Sequence, residues 1–259
     1  MWSRADLKYH AKNVLRGHYW KAFLVSFILA LVTGGSGGGG GGQGGVNYTY
    51  NVNDPVGGFD FAEVFPFLMI GFGIFIVVMI FAFAFKFFLA NPLEVGGRKF
   101  FVRLRHGKSD LNALGMVFNR DHYMNVVKGM FRRDLFIFLW SLLLIIPGII
   151  KSYAYRFVPY LLAENPDMEP ARAMEISQAM TYGEKWRMFV LDLSFIGWYF
   201  LGMLAFVVGT FFVHPYYNAT QAELYDYLKQ VVISEGTTTE AEISGARHDD
   251  GRTDYNDYE

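Results

Sequence analysis

The chain has 259 residues, 53% of them hydrophobic and 18% aromatic, with a formal net charge of −1. Its mean hydropathy of +0.21 is too apolar for an ordinary soluble domain and fits a multi-pass membrane protein with modest loops. The lack of cysteine excludes a disulfide framework, thiolate chemistry and a cysteine metal site, and the six histidines show no HxxxH or HExxH spacing, so no metal or cofactor is expected.

Residues 1–18 read as a cytosolic amphipathic helix. Ser3 with Asp6 three residues later resembles a capping box. Leu7, Ala11, Val14 and Leu15 share one face, and Lys8, Lys12 and Arg16 line another. Such a helix beside a span lies in the membrane interface or packs on the protein's own cytosolic side. The first span is placed at about 19–33, with Tyr19 and Trp20 as interfacial anchors. Ala22 to Val32 has the apolar character of a signal-peptide core, but the 21 residues before it are long for a signal peptide's charged start, so no cleavage is expected.

Gly34, Gly35 and Ser36 then lead into a run of six glycines. Glycine this dense behaves as flexible coil, and no Gly-Lys-Ser/Thr follows to make a phosphate loop. The stretch 34–64 is therefore read as an extracellular loop. The second span, 65–90, has a single charge, Lys86, near its end. As a helix it rises about 39 Å, more than the roughly 30 Å hydrocarbon core, and Lys86 can snorkel to the cytosolic interface.

Residues 91–133 carry nine Lys or Arg, and residues 1–21 carry five. The positive-inside rule places both in the cytosol. Topology accounts for this bias, so no nucleic-acid role is expected. At Asn91-Pro92-Leu93-Glu94 the pattern predicts a turn or a helix start, with Glu94 complementing the helix dipole.

The second half is apolar over 135–163, broken at Pro147-Gly148 and Pro159, and over 188–213, which runs into His214-Pro215-Tyr216. An internal repeat helps to divide it. Gly17-His18-Tyr19-Trp20-Lys21-Ala22-Phe23 matches Gly183-Glu184-Lys185-Trp186-Arg187-Met188-Phe189, with a weaker third copy at Gly129-Met130-Phe131-Arg132-Arg133. Three units follow, each an interfacial helix, a glycine, an aromatic and basic anchor, and a helical hairpin. The expected fold is all-α, with six spans at about 19–33, 65–90, 134–147, 149–163, 187–204 and 208–228. The alternative is four spans. Residues 19–230 form the membrane domain, turns fall near Pro147-Gly148 and 205–209, and both termini lie inside. The polar stretch 231–259 is expected to be a disordered tail.

Several ordered runs carry a family resemblance. They are Asn91-Pro92-Leu93-Glu94-Val95-Gly96, Leu139-Trp140-Ser141, Ile146-Pro147-Gly148, Ala163-Glu164-Asn165-Pro166, Ile196-Gly197-Trp198 and Ala222-Glu223-Leu224-Tyr225. Over roughly residues 1–230 the chain resembles the bacterial integral membrane proteins grouped as domain of unknown function 975. Met180-Thr181 departs mildly from the two methionines usual there. The resemblance implies a helical membrane protein without established chemistry. The family is also distantly similar to the membrane domains attached to some glycerophosphodiester phosphodiesterases, but the phosphodiesterase domain itself is not in this sequence.

Ionisable groups at membrane depth are the default functional candidates. Lys151, Arg156, Asp192 and His214 qualify, and Asn218 and Glu223 follow His214 on a polar stretch. Arg156 and Asp192 are expected to pair, as a structural clamp or as part of a substrate or proton path. The stretch after His214 is either a polar seam inside a bundle or an amphipathic helix outside the membrane. No catalytic constellation is visible. The expectation is a non-enzymatic scaffold or accessory subunit in the cell membrane, contacting lipids and a protein partner or a second copy. The alternative is a small transporter or lipid-handling protein.

Overall fold

The computed structural model describes residues 2–32, 61–204 and 208–245. Most of the expected loop 34–64, part of the turn at 205–209 and the tail beyond 245 lie outside them. The described residues are all-α, with no strand.

Helix α1 (Arg4–Leu15) starts as the sequence dictates. The Ser3 hydroxyl accepts the Asp6 N–H at 3.1 Å and donates to the Asp6 carboxylate at 2.7 Å. It ends before Gly17, whose φ of +84° favours glycine, and α2 (Tyr19–Val32) follows. The repeat recurs in three dimensions: α8 (Pro170–Met180) ends before Gly183, φ +74°, and α9 (Lys185–Leu204) follows. Trp20 and Trp186 are each 72% exposed. The weak third copy does not share this geometry. Gly129 sits inside α5 (Arg120–Leu143), buried against Leu162. The left-handed glycine that ends an amphipathic helix in that part of the chain is Gly107, φ +75°.

α3 (Phe61–Phe85) runs through a five-residue π-helical turn, Lys86–Ala90, into α4 (Asn91–Arg105). The turn or helix start expected at Asn91-Pro92 is therefore not a boundary. Pro92 has no N–H for the carbonyl four residues back. The π turn absorbs that loss, and the Phe88 carbonyl instead accepts the Tyr123 hydroxyl at 2.5 Å.

The hairpin in the middle of the chain turns at Leu144, not at Pro147-Gly148. It joins α5 to α6 (Ile145–Ala154), and Gly148 lets the two helices touch. A Cβ there would collide with the Ser141 side chain and backbone. The expected span 149–163 is two pieces, α6 and α7 (Val158–Glu164). Pro159 removes a helical donor, and Ser177 closes the break: its hydroxyl donates to the Ala154 carbonyl at 2.8 Å and accepts the Phe157 N–H at 3.2 Å.

α9 packs antiparallel on α10 (Val208–Ser234), with Gly202 against the Gly209 backbone. Beyond α10, the expected disordered tail holds a short helix, α11 (Glu240–Ser244). It is fixed by buried Ile243 and by Arg172, which donates to Glu242 at 2.7 Å.

The core surrounds α4. Its Val95, Phe100, Phe101 and Leu104 are at most 1% exposed and belong to one cluster with residues of α1, α7 and α10. Tyr160 of α7 stacks on Tyr225 of α10 at 4.9 Å. Apolar surface projects from this body. No residue in the most apolar stretch of α3 is buried, and the α5–α6 tip exposes Leu142 to Ile146. Among the described residues, two helices are long and apolar enough to cross a membrane, 65–105 and 185–204; α2 is apolar but shorter. Six spans, several of them short, or alternatively four, were expected from the sequence. α6, with ten residues, rises only about 15 Å.

Candidate functional site

Asp192 lies two turns into α9 and is 21% exposed at its side chain. Arg156, in the link between α6 and α7, reaches it with both terminal nitrogens, at 3.1 and 2.5 Å. This is the bidentate geometry for which a guanidinium is suited. The Tyr153 hydroxyl donates to the same carboxylate at 2.8 Å, the Tyr217 hydroxyl at 3.1 Å and the Gln221 amide at 3.1 Å. Arg156 also lies 4.2 Å from the centre of the Tyr153 ring. Five hydrogen bonds on two oxygens saturate the carboxylate.

The other expected residues form separate clusters. Asn218, one residue after Tyr217, accepts from Arg98 at 2.9 Å and donates to Ser26 at 3.0 Å. Arg98 continues to Glu94 at 3.4 Å and to the Tyr160 hydroxyl at 3.4 Å, and Glu94 accepts Arg133 at 3.4 Å. Glu223 accepts Arg105 at 2.9 Å, and the same guanidinium pairs with Asp226. Lys151 points away from all of these. It donates to Gln178 at 3.3 Å and sits over the Trp140 ring at 5.2 Å. His214 meets the Tyr199 ring edge-on at 5.5 Å. Lys86 is 59% exposed at its side chain and pairs with Asp134 at 3.5 Å.

The structure thus joins Arg156 to Asp192, places Asn218 and Glu223 in neighbouring clusters along α10, and leaves Lys151 and His214 outside. Sequence reasoning missed Arg98, Arg105 and Arg133, which it assigned to a basic loop. For Arg98 and Arg105 the signal lay in the alternation of charge with buried apolar residues along 94–105, a helical period that a count of Lys and Arg conceals. Among the described residues no group of His, Asp or Glu has the arrangement to hold a metal ion.

These features define an all-helical protein with apolar helices projecting from a body clamped by partly buried ion pairs. The chain belongs to the family described as protein of unknown function, DUF975, whose family model matches residues 66–231. No curated protein and no solved structure matches the chain.

Proposed function

We propose that the chain is a multi-pass membrane scaffold or accessory subunit, not an enzyme, holding a cytosolic helical body against the inner face of a cell membrane. The observation that carries this reading is the saturation of Asp192. Its hydrogen bonds go to Arg156, Tyr153, Tyr217 and Gln221 of the same chain, which suits a rigid clamp between helices better than an exchanging solute site.

Packing also supports the topology. α1 and α4 pack together with α10 in one body, and charged groups join its parts, as in Arg105 with Glu223. They therefore share one aqueous compartment, and the basic residues of 1–21 and 91–133 make it the cytosol. An even number of crossings follows. α2 with α3 and α9 with α10 form two crossing pairs, and the α5–α6 hairpin enters and leaves on the cytosolic side. The exposed apolar circumference of α3 is open to lipid, to a partner helix or to a second copy.

The lack of native cysteine makes the test direct. Single cysteines at Gly40 and Val207 should react with an impermeant maleimide on intact cells, and those at Ser109, Gln178 and Glu235 should not. Labelling at Ile146 would restore six crossings. Labelling at Gln178 or Glu235 would overturn the shared compartment. For function, the double substitution Arg156→Met with Asp192→Leu should rescue a deletion strain as well as the native chain does. Failure of a folded double variant to rescue would favour the transporter reading.

A further inference from the structure

Arg4, Lys8, Lys12 and Arg16 recur at every fourth position and form one stripe along α1. Like charges at this spacing repel, so the stripe weakens the helix that carries it. Burial together with Arg4 and Lys12 lowers the pKa of Lys8. Lys8 is steadied by Ser194, at 2.8 Å, and by the Phe195 ring, and Lys12 lies 5.8 Å from the centre of the Tyr216 ring. Lys12 and Arg16 are exposed and border a cleft of about 500 Å³ between α1 and the α9–α10 pair. At its polar end are those two cations and Tyr19. Its wall is Trp198 and Phe212, 48% and 45% exposed, on the apolar halves of α9 and α10. A second cleft, lined by Arg4, Lys8, Trp186 and Arg187, continues the stripe toward the start of α1.

We infer that the α1 stripe is a binding site for anionic glycerophospholipid, with Lys12 and Arg16 on the phosphate and an acyl chain along Trp198 and Phe212. The inference rests on the membrane reading above. Charge complementarity selects the head group: two exposed cations meet an apolar wall at one cleft, which fits a phosphodiester carrying a hydrocarbon tail. A free anion would leave the Trp198 and Phe212 wall uncovered. A zwitterionic lipid would bring its own cation to a stripe that already repels itself.

The test uses the full chain in detergent, with phosphatidylglycerol, phosphatidylcholine or inorganic phosphate added, and counts bound lipid by native mass spectrometry. Phosphatidylglycerol should be retained over phosphatidylcholine, and inorganic phosphate should not displace it. Lys12→Gln with Arg16→Gln, both exposed and thus compatible with folding, should weaken retention roughly thirtyfold. A control with the same charge loss, Lys108→Gln with Lys128→Gln, should retain lipid as the native chain does. Equal retention of both lipids, displacement by phosphate, or equal loss in the control would overturn the site. Alkaline extraction of cell membranes separates this failure from failure of the scaffold reading. A chain that stays in the membrane without selective lipid loses the site alone, and a chain that is extracted loses both.

Discussion

The Asp192 carboxylate takes hydrogen bonds from four side chains on three parts of the chain, Tyr153 of α6, Arg156 of the link, and Tyr217 and Gln221 of α10. A charge this enclosed contributes little net stability while paired, but its loss strands the partner. Asp192→Asn leaves the Arg156 guanidinium without a counter-charge. It should lower stability by about 3–5 kcal/mol, read from denaturant unfolding in detergent. Arg156→Met with Asp192→Leu removes both charges and should recover most of that loss, and a double variant no better than the single one would mean that the hydrogen-bonded geometry itself is required. This pair was legible in the sequence because both residues interrupt apolar runs, where an ionisable group needs a partner. The clusters around Arg98 and Arg105 were missed. A cation in a segment rich in cations reads as solvent-facing unless the helical period of 94–105 is followed, and the packing of α4 against α7 and α10 turns it inward.

The helices follow rules that a sequence carries well where the signal is local, and poorly where a distant group completes it. Gly17 and Gly183 mark the two matched helix ends, both at positive φ with nothing within 4 Å of an added Cβ. Gly17→Ala and Gly183→Ala should each cost about 1 kcal/mol from backbone strain alone, by an equal amount if the repeat is structural; thermal unfolding of the two variants measures this. Gly148 differs, because its added Cβ would meet Ser141. Gly148→Val should cost about 1–3 kcal/mol by parting α5 from α6. Pro92 shows the limit of local reading. It predicted a boundary, but Tyr123 supplies the donor that Pro92 cannot, and the helix continues. α11 was illegible for the same reason, since its anchor, Arg172, lies on α8. The hydrogen bonds from Arg172 and Thr238 hold the Glu242 carboxyl below its usual pKa. A depressed folded value stabilises above the unfolded pKa and is lost as pH falls through the folded one. The hydrogen-exchange protection factors of the α11 amides should therefore fall below the ordinary carboxylate range, while those of α4 persist.

Three ion pairs tie α4, α5, α7 and α10 together. Glu94 of α4 meets Arg133 of α5, Glu164 of α7 meets Lys229 of α10, and Glu223 of α10 meets Arg105 of α4. Arg98 stands between them, touching Tyr160 of α7 and Asn218 of α10. The pair of Glu164 and Lys229 tests this with pH. Both side chains are largely buried, at 14% and 10% exposure, and burial raises the Glu164 pKa even with Lys229 beside it. Lys229→Met removes the main opposing charge, so the Glu164 value should rise further. A raised folded pKa stabilises below the unfolded value and loses that stability as pH rises through the folded one. The Lys229→Met chain should accordingly keep near-native stability in acid and fall away toward neutral pH, while Glu164→Gln in the same background should flatten the profile. If Lys229→Met instead tracks the native chain across that range, Glu164 is not held by Lys229, and α7 and α10 are joined by the Tyr160–Tyr225 stack and the apolar core alone.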